Sequence, residues 1–120
     1  MIIADTSVWI DHLRRMDDAL FGLLEASEVL GHPFVIGELA LGTVTNRGET
    51  IALLEGLPQG PVASPRELMH LIEREDLVCS GIGFVDAHLL ASCRLSDAFL
   101  WSRDKRLAAQ AQRLGCAWAP

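Results

Sequence analysis

Four acidic side chains have types and positions that suit the binding of a divalent cation. These are Asp5, Glu38, Asp86 and Asp104. Carboxylates that are brought close together repel one another unless a cation lies between them. Oxygen ligands without an organised set of Cys or His favour Mg²⁺, or Mn²⁺ in its place, over zinc. The metal interpretation therefore depends on whether the fold gathers these four acids.

The strands and helices that would position the acids are predicted from apolar runs and helical periodicity. Residues 1–4 and 98–101 are short apolar runs without alternation, which is typical of strands buried on both faces. Shorter strands are predicted at 29–30, 62–63 and 116–118, with a turn at 58–61. Helices are predicted over residues 7–15, from 17–18 onward, and over 34–44, 49–57, 65–76, 84–95 and 104–114.

This alternation of strands and helices predicts the fold class. Strands separated by helices form a mainly parallel sheet with helices on both faces, here a single α/β domain over residues 1–120. Every strand-to-helix junction of such a sheet lies at the same edge, where open α/β folds bind their ligands. Asp5 and Asp104 each follow a buried strand, and Glu38 and Asp86 lie in helices that start near this edge. The four acids are therefore expected to meet there.

Each acid taken alone has another explanation that stays open. Asp5 could simply cap the helix that follows it, as Asp, Ser and Thr often do. Glu38 is expected on the inward, apolar face of its helix, where it needs a metal, an Arg or backbone donors; alternatively it forms a structural salt bridge or reaches around to solvent. Asp86 is expected to point inward from a first helical turn, whose free N–H groups favour a carboxylate.

The composition excludes several classes of protein. The chain has 120 residues, half of them hydrophobic, which is enough for one domain with its own core. No apolar run reaches the ~18–20 residues of a membrane span, so the cytosol is the expected location. The net charge of −6 argues against duplex binding through bulk charge, although a cation held by acids can still contact a phosphate.

The order and spacing of four segments resemble those of a known family. The segments are residues 2–10 (IIADTSVWI), 35–39 (VIGEL), 85–91 (VDAHLLA) and 102–107 (SRDKRL). They resemble PIN-domain ribonucleases, and more narrowly the VapC toxins of bacterial type II toxin–antitoxin systems, over essentially the whole chain. The family often has Thr where this chain has Ser102, which retains the hydroxyl, and none of the four acids is missing.

The resemblance implies a three-layer α/β/α PIN domain that acts as a Mg²⁺-dependent endoribonuclease. The four acids would be its catalytic and metal-binding cluster, with Asp5 and Asp86 as the direct ligands. A metal-activated water does not require the 2′-hydroxyl, so the products are expected to carry 5′-phosphate and 3′-hydroxyl ends. The hydroxyls expected to orient carboxylates or waters are those of Thr6, Ser7 and Ser102. Basic candidates for holding the RNA backbone, which could equally form a solvated first turn, are Arg103, Lys105 and Arg106.

The resemblance also implies partners. These are a cognate VapB-type antitoxin, an RNA substrate of the tRNA or rRNA class, and a second copy of the chain in a homodimer. An antitoxin Arg that entered the acidic cluster would neutralise it much as a cation does. Apolar residues of the second and fourth helices suit a protein interface or the core equally well: Leu20, Phe21, Leu24, Leu53 and Leu54.

Three other functions have less support in the sequence. A metal-independent ribonuclease would need two histidines on one face, one as general acid and one as general base. Nothing in the sequence places any two of the four histidines together in this way; they are His12, His32, His70 and His88. A phosphatase-like or receiver-like domain would use Asp5 as phosphoryl acceptor, but the accompanying paired acids or later Lys are not found. A non-catalytic PIN-like module that binds RNA or protein would tolerate the loss of an acid, and all four are present.

Overall fold

Three short parallel strands form the centre of the fold, in the order β2-β1-β3. The computed structural model describes residues 1–120, with β1 at Ile2–Ala4, β2 at Val29–Leu30 and β3 at Phe99–Trp101. All three residues of β1 are buried, because this strand has a neighbour on each side and is covered on both faces. The chain passes from β1 to β2 and then returns across β1 to β3, so β1 lies at the topological switch point of the sheet.

Isolated bridges extend the sheet at both edges. Leu100 pairs in parallel with Ala117, which confirms the position of the predicted last strand but reduces it to a single pair. The strand predicted at 62–63 and the turn predicted at 58–61 are wrong. The segment that reaches β2 is instead 58–60, which exchanges two backbone hydrogen bonds with Gly31 at 2.8 and 2.7 Å. Pairing goes no further because a helix begins at Pro33, two residues after Gly31, and a proline has no N–H to donate.

Seven helices surround this sheet. Their bounds are α1 Thr6–Arg14, α2 Asp18–Glu25, α3 Pro33–Leu41, α4 Arg47–Glu55, α5 Pro65–Arg74, α6 Phe84–Ser96 and α7 Lys105–Arg113. Each corresponds to a predicted helix, with ends that differ by a few residues. Helix α3 packs on α1 and α4, α5 packs on α6, and α6 and α7 pack on β3. The expected three-layer α/β/α fold is confirmed. No helix has both the length and the apolar character needed to cross a bilayer.

The apolar residues of α2 and α4 divide between core and surface. Leu20 and Leu54 are almost completely buried, so for them the core interpretation is correct. Leu24 is half-buried and packs against the core. Phe21 and Leu53 are exposed and remain available to a partner.

Side chains cap five of the helices, and one of these caps is a buried histidine. His32 precedes α3, and its Nδ1 accepts a hydrogen bond from the N–H of Phe34 at 3.1 Å. Burial lowers the pKa of His32, because a charged imidazole would lose its solvation there; the neighbouring His88 acts in the same direction and the carbonyl of Pro61 acts against it. His32 is therefore neutral in the folded state, as its role as an acceptor requires.

We expect this histidine to make stability depend on pH. The unfolded chain protonates His32 at its usual pKa of about 6.5, whereas the folded chain does so only at lower pH. The resulting stability is present above about pH 6.5 and is lost as the pH falls below it. Urea unfolding at a series of pH values should show this loss, and His32→Asn, which retains a capping acceptor, should show a shallower one. Equal slopes in the two proteins would contradict the assignment.

Candidate metal centre

Asp5 lies at the carboxyl end of β1 and is both a helix cap and the centre of a hydrogen-bond network. Its side chain is only 5% exposed. One carboxylate oxygen accepts hydrogen bonds from the N–H of Val8, at 3.3 Å, and from the hydroxyl of Ser7, while the other accepts from the hydroxyl of Ser102. The capping explanation for Asp5 is therefore correct, and it does not exclude a role in a metal site.

The two serines that contact Asp5 also connect β1 to the junction after β3. The N–H of Asp104 donates to the hydroxyl oxygen of Ser102 at 3.0 Å, and the N–H of Arg103 donates to that of Ser7 at 3.1 Å. Each hydroxyl thus accepts one backbone hydrogen bond and donates one to the carboxylate. This arrangement fixes the orientation of both oxygens of Asp5.

The other three acids each use one carboxylate oxygen within the chain and leave the second without a protein donor. Asp104 caps α7 by accepting from two backbone N–H groups at 2.9 and 3.1 Å, through Oδ1 only. Asp86 accepts from the N–H of Gly83 at 3.1 Å through Oδ2. Glu38 accepts from the hydroxyl of Thr6 at 2.7 Å through Oε1. Three oxygen atoms are therefore free to bind water or a cation.

The electrostatics of Asp86 show that the four acids lie close enough to influence one another. Burial raises the pKa of Asp86, and the negative charges of Asp104, Asp5 and Glu38 raise it further, while the N–H of Gly83 acts in the opposite direction. A half-buried carboxylate near three others is destabilised when ionised, and a bound cation would relieve this. The fold thus gathers the four acids at one sheet edge.

Glu38 lies on a different side of α3 from the one predicted. Its side chain is exposed, whereas Val35 and Leu39 are the residues of that turn that are buried. Helix α3 is apolar on several sides, so the sequence does not define a single inward face. The expectation of a buried glutamate is wrong. The exposed side chain of Glu38 is held at the acidic edge by a hydrogen bond from the hydroxyl of Thr6.

The donor set fits a Mg²⁺ ion better than a metal that needs a complete protein cage. No three His, Cys, Asp or Glu side chains stand together in a geometry that could hold one ion. Mg²⁺ usually binds through one or two carboxylates and retains several waters, so it does not require such a group. The free oxygens of Glu38, Asp86 and Asp104, beside the oriented Asp5, match this requirement.

Comparison with known proteins establishes the family of the chain. The family model described as the PIN domain matches residues 2–113. This chain belongs to the PIN-domain family. The PIN domain is also similar to ribonuclease VapC32 of Mycobacterium tuberculosis, in strains CDC 1551 / Oshkosh and ATCC 25618 / H37Rv. Each is 48% identical over 120 residues, which cover 99% of this chain and 97% of the relative. The resemblance to VapC-type proteins is confirmed.

Arg103, one of the basic RNA-contact candidates of this PIN domain, is committed to ion pairs. Its guanidinium donates to Asp11 at 2.8 Å and to Asp17, and lies 5.3 Å from the ring centroid of Trp101. The hydrogen bond to Asp17 is the largest cause that raises the pKa of Arg103. Sequence spacing gave no signal for these partners. Arg103 therefore links Asp11 of α1 and Asp17, the cap of α2, to the junction that carries Ser102 and Asp104.

Loss of this tie should destabilise the fold moderately. We expect Arg103→Ala to lower the free energy of unfolding by about 1–2 kcal/mol, because it removes two partly exposed ion pairs and one cation–π contact. Arg15→Ala is the matched control, since Arg15 is exposed and makes no side-chain hydrogen bond or ion pair. Urea unfolding measures both. The same loss in the two variants would refute the proposed contribution of the ion pairs.

Arg106 and Lys105 are exposed in the first turn of α7 and form no ion pair. The Arg106 side chain crosses Gly81, in the loop that leads to α6. A Cβ atom at Gly81 would lie 2.9 Å from Cδ of Arg106, and Gly81 has a φ of +85°, which other residues rarely adopt. Arg106 thus extends from the α7 cap toward the helix of Asp86, where its guanidinium is free for an anion.

The histidines do not form an acid–base pair accessible to a substrate. Two of them do come together, which the sequence did not indicate: the rings of His32 and His88 each contact the ring of Phe34, with centroid distances of 5.3 and 4.7 Å. Both are buried, however. His12 uses Nδ1 to accept from the N–H of Asp17, and His70 is exposed on α5.

Proposed function

We propose that this PIN domain is a Mg²⁺-dependent endoribonuclease and the toxin of a VapBC-type toxin–antitoxin pair. The observation that carries the proposal is the meeting of Asp5, Glu38, Asp86 and Asp104 at one sheet edge, with three carboxylate oxygens free. The relatives are named ribonucleases, which supports RNA as the substrate. When bound, Mg²⁺, or Mn²⁺ in its place, lowers the pKa of water and offsets negative charge on the phosphate.

The residues at this edge have separate tasks in the proposed reaction. Asp5 and Asp86 hold the ion, Asp5 with an orientation fixed by Ser7 and Ser102. The exposed carboxylate of Glu38, held by Thr6, and the free oxygen of Asp104 orient water at the same edge. No residue is needed to activate the 2′-hydroxyl, so the products carry 5′-phosphate and 3′-hydroxyl ends.

Positive charge near the edge supports binding of the RNA backbone. Arg106 and Lys105 are free of ion pairs and can contact phosphates on either side of the cleaved bond. Arg103 can do so only by giving up Asp11 and Asp17, and we assign it to support of the site. The proposed substrate is a tRNA or rRNA, and the proposed place of action is the cytoplasm.

A groove beside Glu38 supports the proposed antitoxin. It has a volume of about 520 Å³ and lies between α1 and α3, with an apolar wall formed by Ile10, Leu13 and Leu39. An extended or helical segment could bury apolar side chains there and reach the acids with an Arg. The exposed Leu53 and Phe21 support the proposal that the PIN domain also pairs with a second copy of itself.

The proposal is tested by RNA cleavage with purified protein, in Mg²⁺ and in EDTA. Wild type is compared with Asp86→Asn, which removes a proposed ligand, and with Asp97→Asn as a matched control at the opposite end of α6. We expect cleavage in wild type and Asp97→Asn that requires Mg²⁺ and leaves 3′-hydroxyl ends. We expect none in Asp86→Asn.

Several results would overturn this proposal. Cleavage that persists in EDTA, or that is equal in Asp86→Asn, would exclude the acidic edge as its source. Absence of cleavage from tRNA and rRNA, together with absence of Mn²⁺ binding by wild type, would favour a non-catalytic binding module. Cyclic-phosphate ends would indicate chemistry that uses the 2′-hydroxyl.

A further inference from the structure

An exposed aromatic residue lies in the first turn of α6, the turn that also carries Asp86. Phe84 is the first residue of α6, two positions before Asp86, and 67% of its surface is exposed. Phe21 and Phe99 are less exposed, at 45% and 43%, and neither lies within a turn of one of the four acids. Single apolar residues on a surface are common, so exposure alone assigns nothing to Phe84.

The ring of Phe84 is held by a row of aromatic rings that connects two helices of the site. We call Phe84, His88 and Phe34 the aromatic row. The rings of Phe84 and His88 meet edge to face at a centroid distance of 4.7 Å, and those of His88 and Phe34 meet in the same way at 4.7 Å. His88 is only 4% exposed, which makes it a fixed support. The row thus joins the helix of Asp86 to the helix of Glu38.

This support leaves part of the Phe84 ring available. In an edge-to-face contact, at least one face of each ring has no partner in that pair, and Phe84 makes no other aromatic contact. The contact with His88 restrains the ring before any ligand arrives, which lowers the side-chain entropy that binding costs. A fixed, open aromatic face is what a flat ligand requires for stacking.

We propose that the free face of Phe84 is a stacking platform for a nucleobase of the RNA, next to the phosphate that is cleaved. The inference rests on the proposed function, because it takes single-stranded RNA as the ligand. Proteins commonly hold unpaired bases by stacking them on aromatic side chains, and this contact tolerates any base. Stacking also supplies affinity that does not depend on charge, which suits a protein with a net charge of −6.

The test uses a short single-stranded RNA that carries 2-aminopurine, a base whose fluorescence falls when it stacks. Binding is measured in EDTA, so that cleavage does not contribute. The variants are Phe84→Leu, which keeps an apolar side chain but removes the ring, and Phe84→Trp, which keeps a ring. Phe99→Ala is the matched control at an exposed phenylalanine away from the acids.

We expect wild type, Phe84→Trp and the Phe99→Ala control to quench the fluorescence for at least one position of the labelled base. Phe84→Leu should lose the quenching and bind the RNA more weakly by about 5- to 100-fold. Quenching and affinity that are unchanged in Phe84→Leu, or that fall equally in Phe99→Ala, would overturn the proposal. So would the absence of quenching by wild type.

The outcome can be separated from that of the proposed function. Quenching that depends on Phe84, without Mg²⁺-dependent cleavage, would support the platform and count against hydrolysis. Cleavage that needs Asp86, together with RNA binding that does not depend on Phe84, would support hydrolysis at the acidic edge and overturn the stacking platform.

Discussion

Asp5→Asn is expected to abolish Mg²⁺-dependent RNA cleavage while leaving the fold intact. Asn caps helices as well as Asp does, so the hydrogen bond from the N–H of Val8 can be retained. The serine hydroxyls can rotate to suit an amide. What is lost is the negative charge at the one carboxylate whose two oxygens are both oriented by the protein. Because changes to residues around a metal ligand already cost about 10- to 100-fold, loss of the ligand itself should cost more than about 100-fold.

Two measurements check this expectation for Asp5→Asn. Initial cleavage rates in Mg²⁺ give the loss of activity, and thermal unfolding with and without Mg²⁺ gives the loss of binding. A ligand that binds the native state raises the melting temperature, so wild type should respond to Mg²⁺ and Asp5→Asn should not. Asp97→Asn, at the far end of α6, should behave as wild type. A variant that cleaves within about tenfold of wild type would show that Asp5 is not a ligand.

Trp9→Ala is expected to cause the largest loss of stability. Trp9 lies on α1, one turn after Asp5, is 2% exposed, and is among the largest side chains of the core. Its removal should lower the free energy of unfolding by about 3–5 kcal/mol, because the lost burial is accompanied by a cavity that neighbours fill only partly. Phe21→Ala on α2 removes a similar ring from an exposed position and should cost far less.

Urea unfolding of both variants tests this difference. A loss below about 1 kcal/mol for Trp9→Ala would show that the core closes around the gap. Since α1 also carries Thr6 and Ser7 at its first turn, a destabilised Trp9→Ala protein should lose activity at temperatures where wild type is still folded.

Features that depend on short sequence runs were predicted well. The apolar runs of β1 and β3 indicated buried parallel strands, which is correct for all of β1 and for Leu100 and Trp101 of β3 but wrong for the exposed Phe99; the strand positions fixed Asp5 and Asp104 at the same edge. A strand buried on both faces can be recognised from a few consecutive apolar residues. The start of α5 can be recognised from its serine cap and the proline that follows it. The family resemblance added the roles of the acids, which periodicity alone does not give.

Features that depend on distant contacts were not predicted. Nothing local shows that Arg103 pairs with Asp11, 92 residues earlier, or that Glu38 faces solvent in a helix with apolar residues on several sides. The Pro and Gly residues at 58–61 predict a turn, whereas the pairing of residues 58–60 with Gly31 decides the structure of this segment. The aromatic row could not be predicted for the same reason, because it depends on contacts between side chains of α3 and α6 that are far apart in the sequence.

The hydrogen bond between Ser102 and Asp5 spans 97 residues, and it has a consequence for the newly synthesised chain. The central strand is synthesised before β3, so β1 lacks one of its two neighbours, and Asp5 lacks the hydroxyl of Ser102, until 97 further residues have been added. Domains generally fold as units during synthesis, and contacts between distant residues form late. Nascent chains that stop before residue 102 therefore contain Asp5, Glu38 and Asp86 but neither the complete β3 junction nor the hydroxyl that orients Asp5, so the acidic edge is not assembled until these residues have left the ribosome.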